Sequence, residues 1–242
     1  MNSPDHNSLG FLSDFPDSTR YENSSRDPDD VAMKLASLIS KKSRVLDVGC
    51  GTGSTAEIIV QETQARLVGI EPDARRKAVA CERGLNVIEG TLSDDFLREY
   101  GPFDTIVFAD VLEHLQNPGE LVLLSKTGLA PGGSIVASVP NIAHWFVRLD
   151  LLRGRFNYRE CGIMDATHLR WFTRETLHRF FDNLGLQVTH HLYTVNTGMI
   201  EYSQSWPWSW LPRGARMWLV RQLVNRLPNL FGCQHVVRAT LK

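Results

Sequence analysis

Three glycines and two carboxylates form the most informative set of residues in the first third of the chain. Asp47, Gly49, Gly51 and Gly53 alternate with other residues at the end of an apolar run, and Glu71 follows eighteen residues after Gly53. Glycines in such a turn let the backbone approach a ligand where a Cβ atom would clash. An acidic residue at the next strand end can accept both hydroxyls of a ribose. The spacing therefore predicts a nucleoside-binding site.

The identity of the nucleoside follows from charge. A dinucleotide pattern is present as Gly51-x-Gly53-x-x-Ala56, but it leaves Asp47 and Gly49 without a role. A carboxylate directly before the turn would also repel a pyrophosphate. S-adenosylmethionine has no phosphate and carries a positive sulfonium and a positive ammonium group, which suit an acidic strand end. We therefore predict S-adenosylmethionine as the cofactor and disfavour a nicotinamide-dependent oxidoreductase.

The pattern Asp47-x-Gly49-x-Gly51-x-Gly53 resembles the hallmark motif of the class I S-adenosylmethionine-dependent methyltransferase family. The resemblance extends over about residues 30–195 and the last strand. It implies that the three glycines form the floor under the amino-acid part of the cofactor. It also implies that Asp47 orients the turn and attracts the ammonium group, while Glu71 binds the ribose hydroxyls.

Two further stretches carry cofactor contacts in the family that the chain resembles. Thr91 occupies the position where the family places an acidic residue that faces the adenine amino group, and a hydroxyl can accept the same hydrogen bond. Leu92 is expected to pack on the adenine ring. Asp110 is expected beside the cofactor or the substrate. Glu113 and His114 either share that position or cap the following turn.

Candidate catalytic residues lie in the segment 141–172, which follows the fifth predicted strand, where an open α/β sheet binds its ligands. Methyl transfer to a hydroxyl requires alignment of the nucleophile and removal of a proton. We predict His168 as the base with Asp165 orienting it, and His144 as the second candidate; the alternative is a structural network. This segment resembles a methyltransferase subgroup associated with sugars, lipids or cell-envelope precursors, through Pro-Asn, Gly-Arg-Phe and Asp-x-Thr-His-Leu-Arg sequences.

The fold expected from the alternating pattern is α/β, with a doubly wound, mostly parallel seven-stranded sheet and an antiparallel last strand. Continuous apolar strands between amphipathic helices indicate a sheet that is covered on both faces. Predicted strands are 44–48, 67–70, 85–89, 103–109, 134–139, 186–193 and 236–241. Predicted helices are about 30–40, 55–64, 73–83, 118–129, 173–184 and 214–227.

The domain organisation predicted from composition is an arm followed by one domain. Residues 1–28 are rich in Ser, Asp, Asn and Pro and are expected to be a mobile N-terminal arm; the alternative is that Tyr21 closes over the ligand. Residues 29–242 form the methyltransferase domain, with substrate-side insertions at about 141–172 and 195–234. The second insertion carries tryptophans and an arginine-rich helix, which we expect to pack against the core or a second subunit rather than a lipid interface.

The composition narrows the function classes. A net charge of −1 gives no bulk electrostatic attraction to nucleic acid. The four cysteines lack metal-ligand spacing, so we predict no metal and free thiols in a reducing cytoplasm. No apolar run approaches membrane-spanning length, although peripheral membrane contact and a homodimer stay open.

The predicted function is methyl transfer to a small-molecule acceptor or a glycan- or lipid-linked acceptor, more readily at oxygen than at nitrogen. The alternative is a cofactor-binding protein that regulates a partner enzyme. The segment 81–90 and the Pro-Asn pair at 140–141 also resemble the MetW family of methionine-biosynthesis proteins, whose methyltransferase-like domain works with an acyltransferase.

Overall fold

The computed structural model describes residues 25–195, Tyr202 and residues 208–242. The predicted arm therefore lies almost entirely outside the described residues, together with Tyr21 and Trp206. The strands are β1 Arg44–Val48, β2 Arg66–Glu71, β3 Asn86–Glu89, β4 Phe103–Ala109, β5 Leu129–Pro140, β6 Leu186–Tyr193 and β7 Gln234–Leu241.

These strands form one sheet with the order β3-β2-β1-β4-β5-β7-β6. The pairs from β3 through β5 are parallel, and β7 runs antiparallel to both of its neighbours. The predicted mostly parallel sheet with an antiparallel last strand is confirmed. Because the carboxyl ends of β1, β2, β4 and β5 meet at one edge, the turns that follow these strands share that edge.

The helices are α1 Val31–Ser37, α2 Ser54–Thr63, α3 Ala74–Glu82, α4 Asp94–Tyr100, α5 Pro118–Thr127, α6 Trp145–Leu152, α7 Arg174–Asn183, α8 Arg213–Arg226 and α9 Pro228–Phe231. Local sequence accounts for several starts. The Asp73 side chain accepts hydrogen bonds from the Arg75 and Arg76 N–H groups in the first turn of α3, and the Ser93 hydroxyl accepts one from the Phe96 N–H in α4. Thr173 and Thr176 form a reciprocal capping box at the start of α7.

Successive strand residues bury opposite faces of the sheet, and helices cover both faces. On one face Val45, Val107 and Val136 pack against α1 and α2. On the other face Leu46, Ile106 and Ile135 belong to a cluster that includes residues of α4, α5 and α7. Both layers contain fully buried aliphatic side chains. The alternation confirms the doubly wound architecture and makes the sheet a rigid base for its carboxyl edge.

The two predicted insertions each leave and rejoin the sheet at paired residues. Asn141 forms an isolated bridge with Phe172, which brings together the two ends of the first segment. The Thr194 N–H donates to the Gln234 carbonyl at 3.2 Å, and this hydrogen bond brings together the two ends of the second segment. The Asn141 amide nitrogen also donates to the carbonyl of Gly232 at 2.8 Å. A side chain at the end of β5 therefore holds the two segments together.

The helix α8 packs against the described chain through Val220 and Val224. Val220 and Val224 are buried beside Tyr202, whereas Trp218 is 63% exposed. The Arg221 guanidinium forms ion pairs with Asp27 and Asp29. No helix within the described ranges combines the length and apolar character needed to cross a bilayer.

Three histidine rings form a hydrogen-bonded row across α7, β6 and β7. Nε2 of His178 lies 2.8 Å from Nδ1 of His191, and Nε2 of His191 lies 3.0 Å from Nδ1 of His235. Burial lowers the pKa of His191 and that of His235 to about 3. The neutral rings therefore join a helix to the two antiparallel strands.

Candidate active site

The glycine turn after β1 adopts a backbone conformation that side chains disfavour. Gly49, Gly51 and Gly53 have φ angles of +71°, +57° and +79°. A Cβ atom on Gly53 would lie 2.4 Å from Leu85, whereas one on Gly51 would meet nothing within 4 Å. A side chain at position 53 would therefore clash with the neighbouring helix–strand connection, whereas Gly51 faces open space, where we expect the ligand.

The Glu71 carboxylate lies under this turn and is only 2% exposed. Its Oε2 accepts a hydrogen bond from the Gly51 N–H at 2.8 Å, and its Oε1 accepts one from the Asp73 N–H at 3.1 Å. Each carboxylate oxygen can accept a second hydrogen bond. Glu71 is therefore positioned by backbone groups and keeps the capacity to accept ribose hydroxyls, which stays a prediction.

The Asp47 carboxylate is buried in β1 with 1% of its surface exposed. Neither of its oxygens has a hydrogen-bond partner among the described residues. Burial, together with the nearby Glu71 carboxylate, raises the pKa of Asp47 to about 7 from 3.8. A buried carboxylate without a donor favours a cationic or hydrogen-bond-donating ligand, because such a ligand offsets its desolvation.

Asp110 follows β4 directly and has a φ angle of +54°, which is uncommon for a residue other than glycine. Its Oδ1 accepts hydrogen bonds from the Ser138 hydroxyl at 2.7 Å and from the Gln234 amide at 2.9 Å. Burial raises the pKa of Asp110, and these two hydrogen bonds oppose the shift. Gln234 was absent from the predicted site because only the antiparallel position of β7 brings it near β4.

The segment after β4 is packed against the glycine turn. A Cβ atom on Gly49 would lie 3.1 Å from the Val111 side chain. Val111 therefore adjoins the glycine turn, and the role of Asp110 beside the cofactor stays a prediction. The residues predicted to contact adenine are divided between two environments: Thr91 is exposed, whereas Leu92 is 8% exposed and belongs to the main core cluster. Their contacts with a cofactor stay predictions.

Glu113, His114 and His168 come together beside this segment. One carboxylate oxygen of Glu113 and one ring nitrogen of each histidine lie within 4.8 Å of one another. The Glu113 carboxylate is fully buried, and its oxygens have no hydrogen-bond partner in any other described residue. Burial, then the charges of Asp110 and Asp165, raise the pKa of Glu113 well above its ordinary value. Sequence reasoning considered the two histidines separately, because they are far apart along the chain.

The segment that carries His168 is held by hydrogen bonds to its surroundings. The Leu169 and Arg170 N–H groups both donate to the Glu113 carbonyl, at 2.7 and 3.0 Å. The Asp165 carboxylate accepts hydrogen bonds from the Thr167 N–H and hydroxyl, at 2.8 and 2.6 Å. The Thr167 hydroxyl also lies 3.1 Å from Nδ1 of His114. Asp165 therefore reaches His114 through Thr167, a link that sequence analysis did not predict.

His144 lies in a different environment from that of His168. Its Nε2 is 3.2 Å from the Tyr202 hydroxyl, and its ring is 5.2 Å from that of Phe146. It is fully buried, and burial lowers the pKa of His144 to about 3. A ring with so low a pKa accepts a proton poorly near neutral pH, so this environment does not favour His144 as a base.

The order of the sheet, the glycine turn after β1 and the acidic end of β2 together define the class I S-adenosylmethionine-dependent methyltransferase architecture. A family model described as a methyltransferase domain matches residues 21–191, which is more than half of the chain. The chain therefore belongs to the methyltransferase-domain family. The cofactor of class I methyltransferases is S-adenosylmethionine.

Known proteins resemble the chain in sequence and in fold. Ubiquinone biosynthesis O-methyltransferase of Escherichia fergusonii is 33% identical over 116 residues, which are 46% of this chain and 48% of that protein. The chain thus spans about half the length of the curated relatives it matches. A methyltransferase of Geobacter sulfurreducens in complex with S-adenosyl-L-homocysteine has a TM-score of 0.54 at 15% identity, covering 92% of this chain and 94% of its own.

A second solved structure is the putative methyltransferase of Haloferax volcanii in complex with the methyltransferase activator Trm112. It has a TM-score of 0.57 at 17% identity and covers 89% of this chain and 90% of its own. At these identities the structural similarity establishes the fold alone.

Two features of the chain fit a bound S-adenosylmethionine. The open space above Gly51 can hold part of the cofactor, and the buried Asp47 carboxylate suits the ammonium group of S-adenosylmethionine. Glu71, at the end of the adjacent strand, is the residue that would hold the ribose. The cofactor supplies an activated methyl group, and the roles of Gly51, Asp47 and Glu71 in holding it stay predictions.

Proposed function

We propose that this protein transfers a methyl group from S-adenosylmethionine to a hydroxyl oxygen of a small-molecule acceptor. The observation that carries the proposal is the position of His168 beside Glu113 and His114, in a segment that packs on the glycine turn through Val111. This arrangement provides imidazole groups next to the predicted donor site. The O-methyltransferase relative supports oxygen as the acceptor atom.

The catalytic assignment within this proposal gives His168 the role of proton acceptor. Its Nδ1 lies 3.2 Å from the Ile163 carbonyl, which only accepts hydrogen bonds. The Nδ1–H group therefore donates to this carbonyl, and the neutral ring has its lone pair on Nε2. Asp165 positions the neighbouring segment through Thr167 and is a positioning residue rather than one that contacts the acceptor.

The acceptor class proposed here includes free small molecules and glycan- or lipid-linked hydroxyls. The segment 141–172 supports an acceptor with an apolar part, because Phe156, Tyr158 and Trp171 lie in edge and tilted contact with ring centroids 5.5 to 6.4 Å apart. Phe156 and Tyr158 are each more than two-fifths exposed. These rings offer an aromatic surface within the same segment as the candidate base. We also propose the cytoplasm as the compartment.

The test is a methyl-transfer assay with radiolabelled S-adenosylmethionine and a panel of phenols, quinols, sugars and hydroxylated lipids, with amines as controls.

His168→Ala should lower turnover by about 10²–10⁴-fold, the usual contribution of general acid–base catalysis, with little change in cofactor affinity. His168→Asn retains an N–H donor for the Ile163 carbonyl and controls for loss of structure. His190→Ala, on the exposed face of β6, is the matched surface control. Transfer to amines alone would contradict the proposal. Turnover of the His168 variants equal to that of the wild type would remove His168 from the mechanism.

A further inference from the structure

The cluster next to the cofactor site contains donor atoms of a kind that bind metal ions. We propose that Glu113, His114 and His168 form a binding site for a divalent cation of the zinc, cobalt and manganese class. The role of such a cation, to bind the acceptor oxygen, rests on the proposed function. The existence of the site does not, since it follows from the geometry of three side chains.

The first argument concerns the Glu113 carboxylate. It is fully buried, it lies within 4.8 Å of a nitrogen of both histidines, and no other described residue donates a hydrogen bond to it. A glutamate with a packing role is normally hydrogen bonded when buried, since an unpartnered polar group is costly. A cation between the carboxylate and the two rings would offset this cost directly.

The second argument concerns the tautomers of the histidines. Nδ1 of His168 lies 3.2 Å from the Ile163 carbonyl, and Nδ1 of His114 lies 3.3 Å from the Thr167 carbonyl. Carbonyl oxygens accept hydrogen bonds, so each ring donates from Nδ1 and has its lone pair on Nε2. Metal-bound histidines are usually oriented in this way by a backbone carbonyl behind the ring. We therefore assign Nε2 of both rings to the cation.

The third argument is that the backbone fixes the two halves of the cluster. Glu113 and His114 lie in the short 3-10 helix Leu112–His114, and its Glu113 carbonyl accepts two hydrogen bonds from the residues after His168. The separation of up to 4.8 Å exceeds the roughly 3.4 Å between ligand atoms of a tetrahedral site with bonds near 2.1 Å. The ligand atoms therefore have to approach one another by up to about 1.4 Å to hold a cation in this geometry.

The donor set favours particular ions. Two imidazole nitrogens and one carboxylate suit Zn²⁺, Co²⁺ or Mn²⁺ better than Ca²⁺ or Mg²⁺, which prefer oxygen ligands. Three protein ligands leave at least one coordination position for water or an acceptor oxygen. His114 is half-buried and gives the cluster its connection with solvent. When a cation is bound, Nε2 of His168 is a ligand, so this role and the role of proton acceptor are alternatives.

The test is direct titration of untagged, full-length protein that has been treated with a chelator. Zn²⁺ is titrated by calorimetry and Co²⁺ by visible absorption, in the absence of cofactor and acceptor, with Mg²⁺ as the disfavoured ion. We expect a single site in the wild type and affinities at least about tenfold weaker in Glu113→Gln and His168→Asn, in line with losses seen when metal sites are perturbed. Glu62→Gln and His190→Asn change exposed residues of the same types and should bind as the wild type does.

The wild-type protein alone provides a second measurement in case a variant fails to fold. Proton NMR of the Co²⁺ form should show two paramagnetically shifted, exchangeable imidazole N–H signals, one for each Nδ1–H. No binding by the wild type, or equal binding by the folded Glu113 and His168 variants, would overturn the inference. Affinity for S-adenosylhomocysteine and methyl transfer are measured separately. Retained transfer with no metal binding would overturn the metal site alone, whereas metal binding without transfer would support the site and contradict the proposed function.

Discussion

The ionisation of Asp47 provides a quantitative test of how the cofactor site works. Its carboxylate is almost completely buried, has no described hydrogen-bond partner and has a pKa raised to about 7 in the folded protein from 3.8. The charged form is therefore less stable in the folded protein than in the unfolded chain. Replacement by asparagine removes the charge and nearly preserves the shape, so the pH dependence of the stability difference between Asp47→Asn and wild type isolates this group.

The sign and magnitude follow from proton linkage. Between the unfolded pKa of 3.8 and the folded value of about 7, the folded protein binds the proton more tightly than the unfolded chain does. The stabilisation from this group is therefore fully present below the unfolded pKa and is lost as the pH rises through the folded pKa. From about pH 8 down to about pH 5, we expect the wild type to gain about 2–3 kcal/mol relative to Asp47→Asn.

The assay is urea denaturation of both proteins at a series of pH values, followed by fluorescence. The difference in free energy of unfolding should increase as the pH falls. A difference that stays constant between these limits would show that Asp47 has an ordinary pKa and would refute the reasoning.

The cofactor provides a further check, because its ammonium group should favour the charged form of the Asp47 carboxylate. Calorimetry near pH 6, in buffers with different ionisation enthalpies, should then show proton release when S-adenosylhomocysteine binds, and Asp47→Asn should show less.

The remaining predictions concern the glycine turn, Glu71 and the core. Gly51→Val should abolish cofactor binding, because its branched side chain enters the open space on the ligand side; Gly132→Val, at a position with similar φ and open surroundings, should retain affinity in calorimetry. Glu71→Ala should weaken binding by about 1–3 kcal/mol through loss of charge-assisted hydrogen bonds, and unchanged affinity would contradict the ribose assignment. Leu177→Ala, at a fully buried position of α7, should lower the free energy of unfolding by about 2–5 kcal/mol, whereas a change below about 1 kcal/mol in urea denaturation would contradict its core role.

Much of the fold follows from local pattern, because each strand of a covered parallel sheet is a short apolar run. The bounds predicted for β1, β4 and β6 agree with the structure. The helix α4 was absent from the prediction, although Ser93 caps it and two aspartates occupy its first turn. It has only seven residues, which gives too few turns for a clear period. The helix α6 was also absent, because Leu151 and Leu152 are 51% and 84% exposed and disrupt the amphipathic pattern.

The site is predictable only where it is local in sequence. The glycine turn and Glu71 lie within one strand–turn–helix–strand unit, so their spacing predicts their arrangement. The meeting of Glu113 with His168 depends on backbone hydrogen bonds between two segments on different parts of the sheet edge. The contact of Gln234 with Asp110 depends on where the antiparallel last strand is inserted. Such contacts are set by tertiary structure and have no signal in local spacing.

The row formed by His178, His191 and His235 has a consequence for how this family of chains can vary. Each ring must donate where its neighbour accepts, so the proton position on one ring dictates the positions on the other two. Replacement of the central His191 alone leaves both outer rings without the partner they have here. We expect natural variants to exchange these three positions together, as a joint substitution by apolar residues, rather than one at a time.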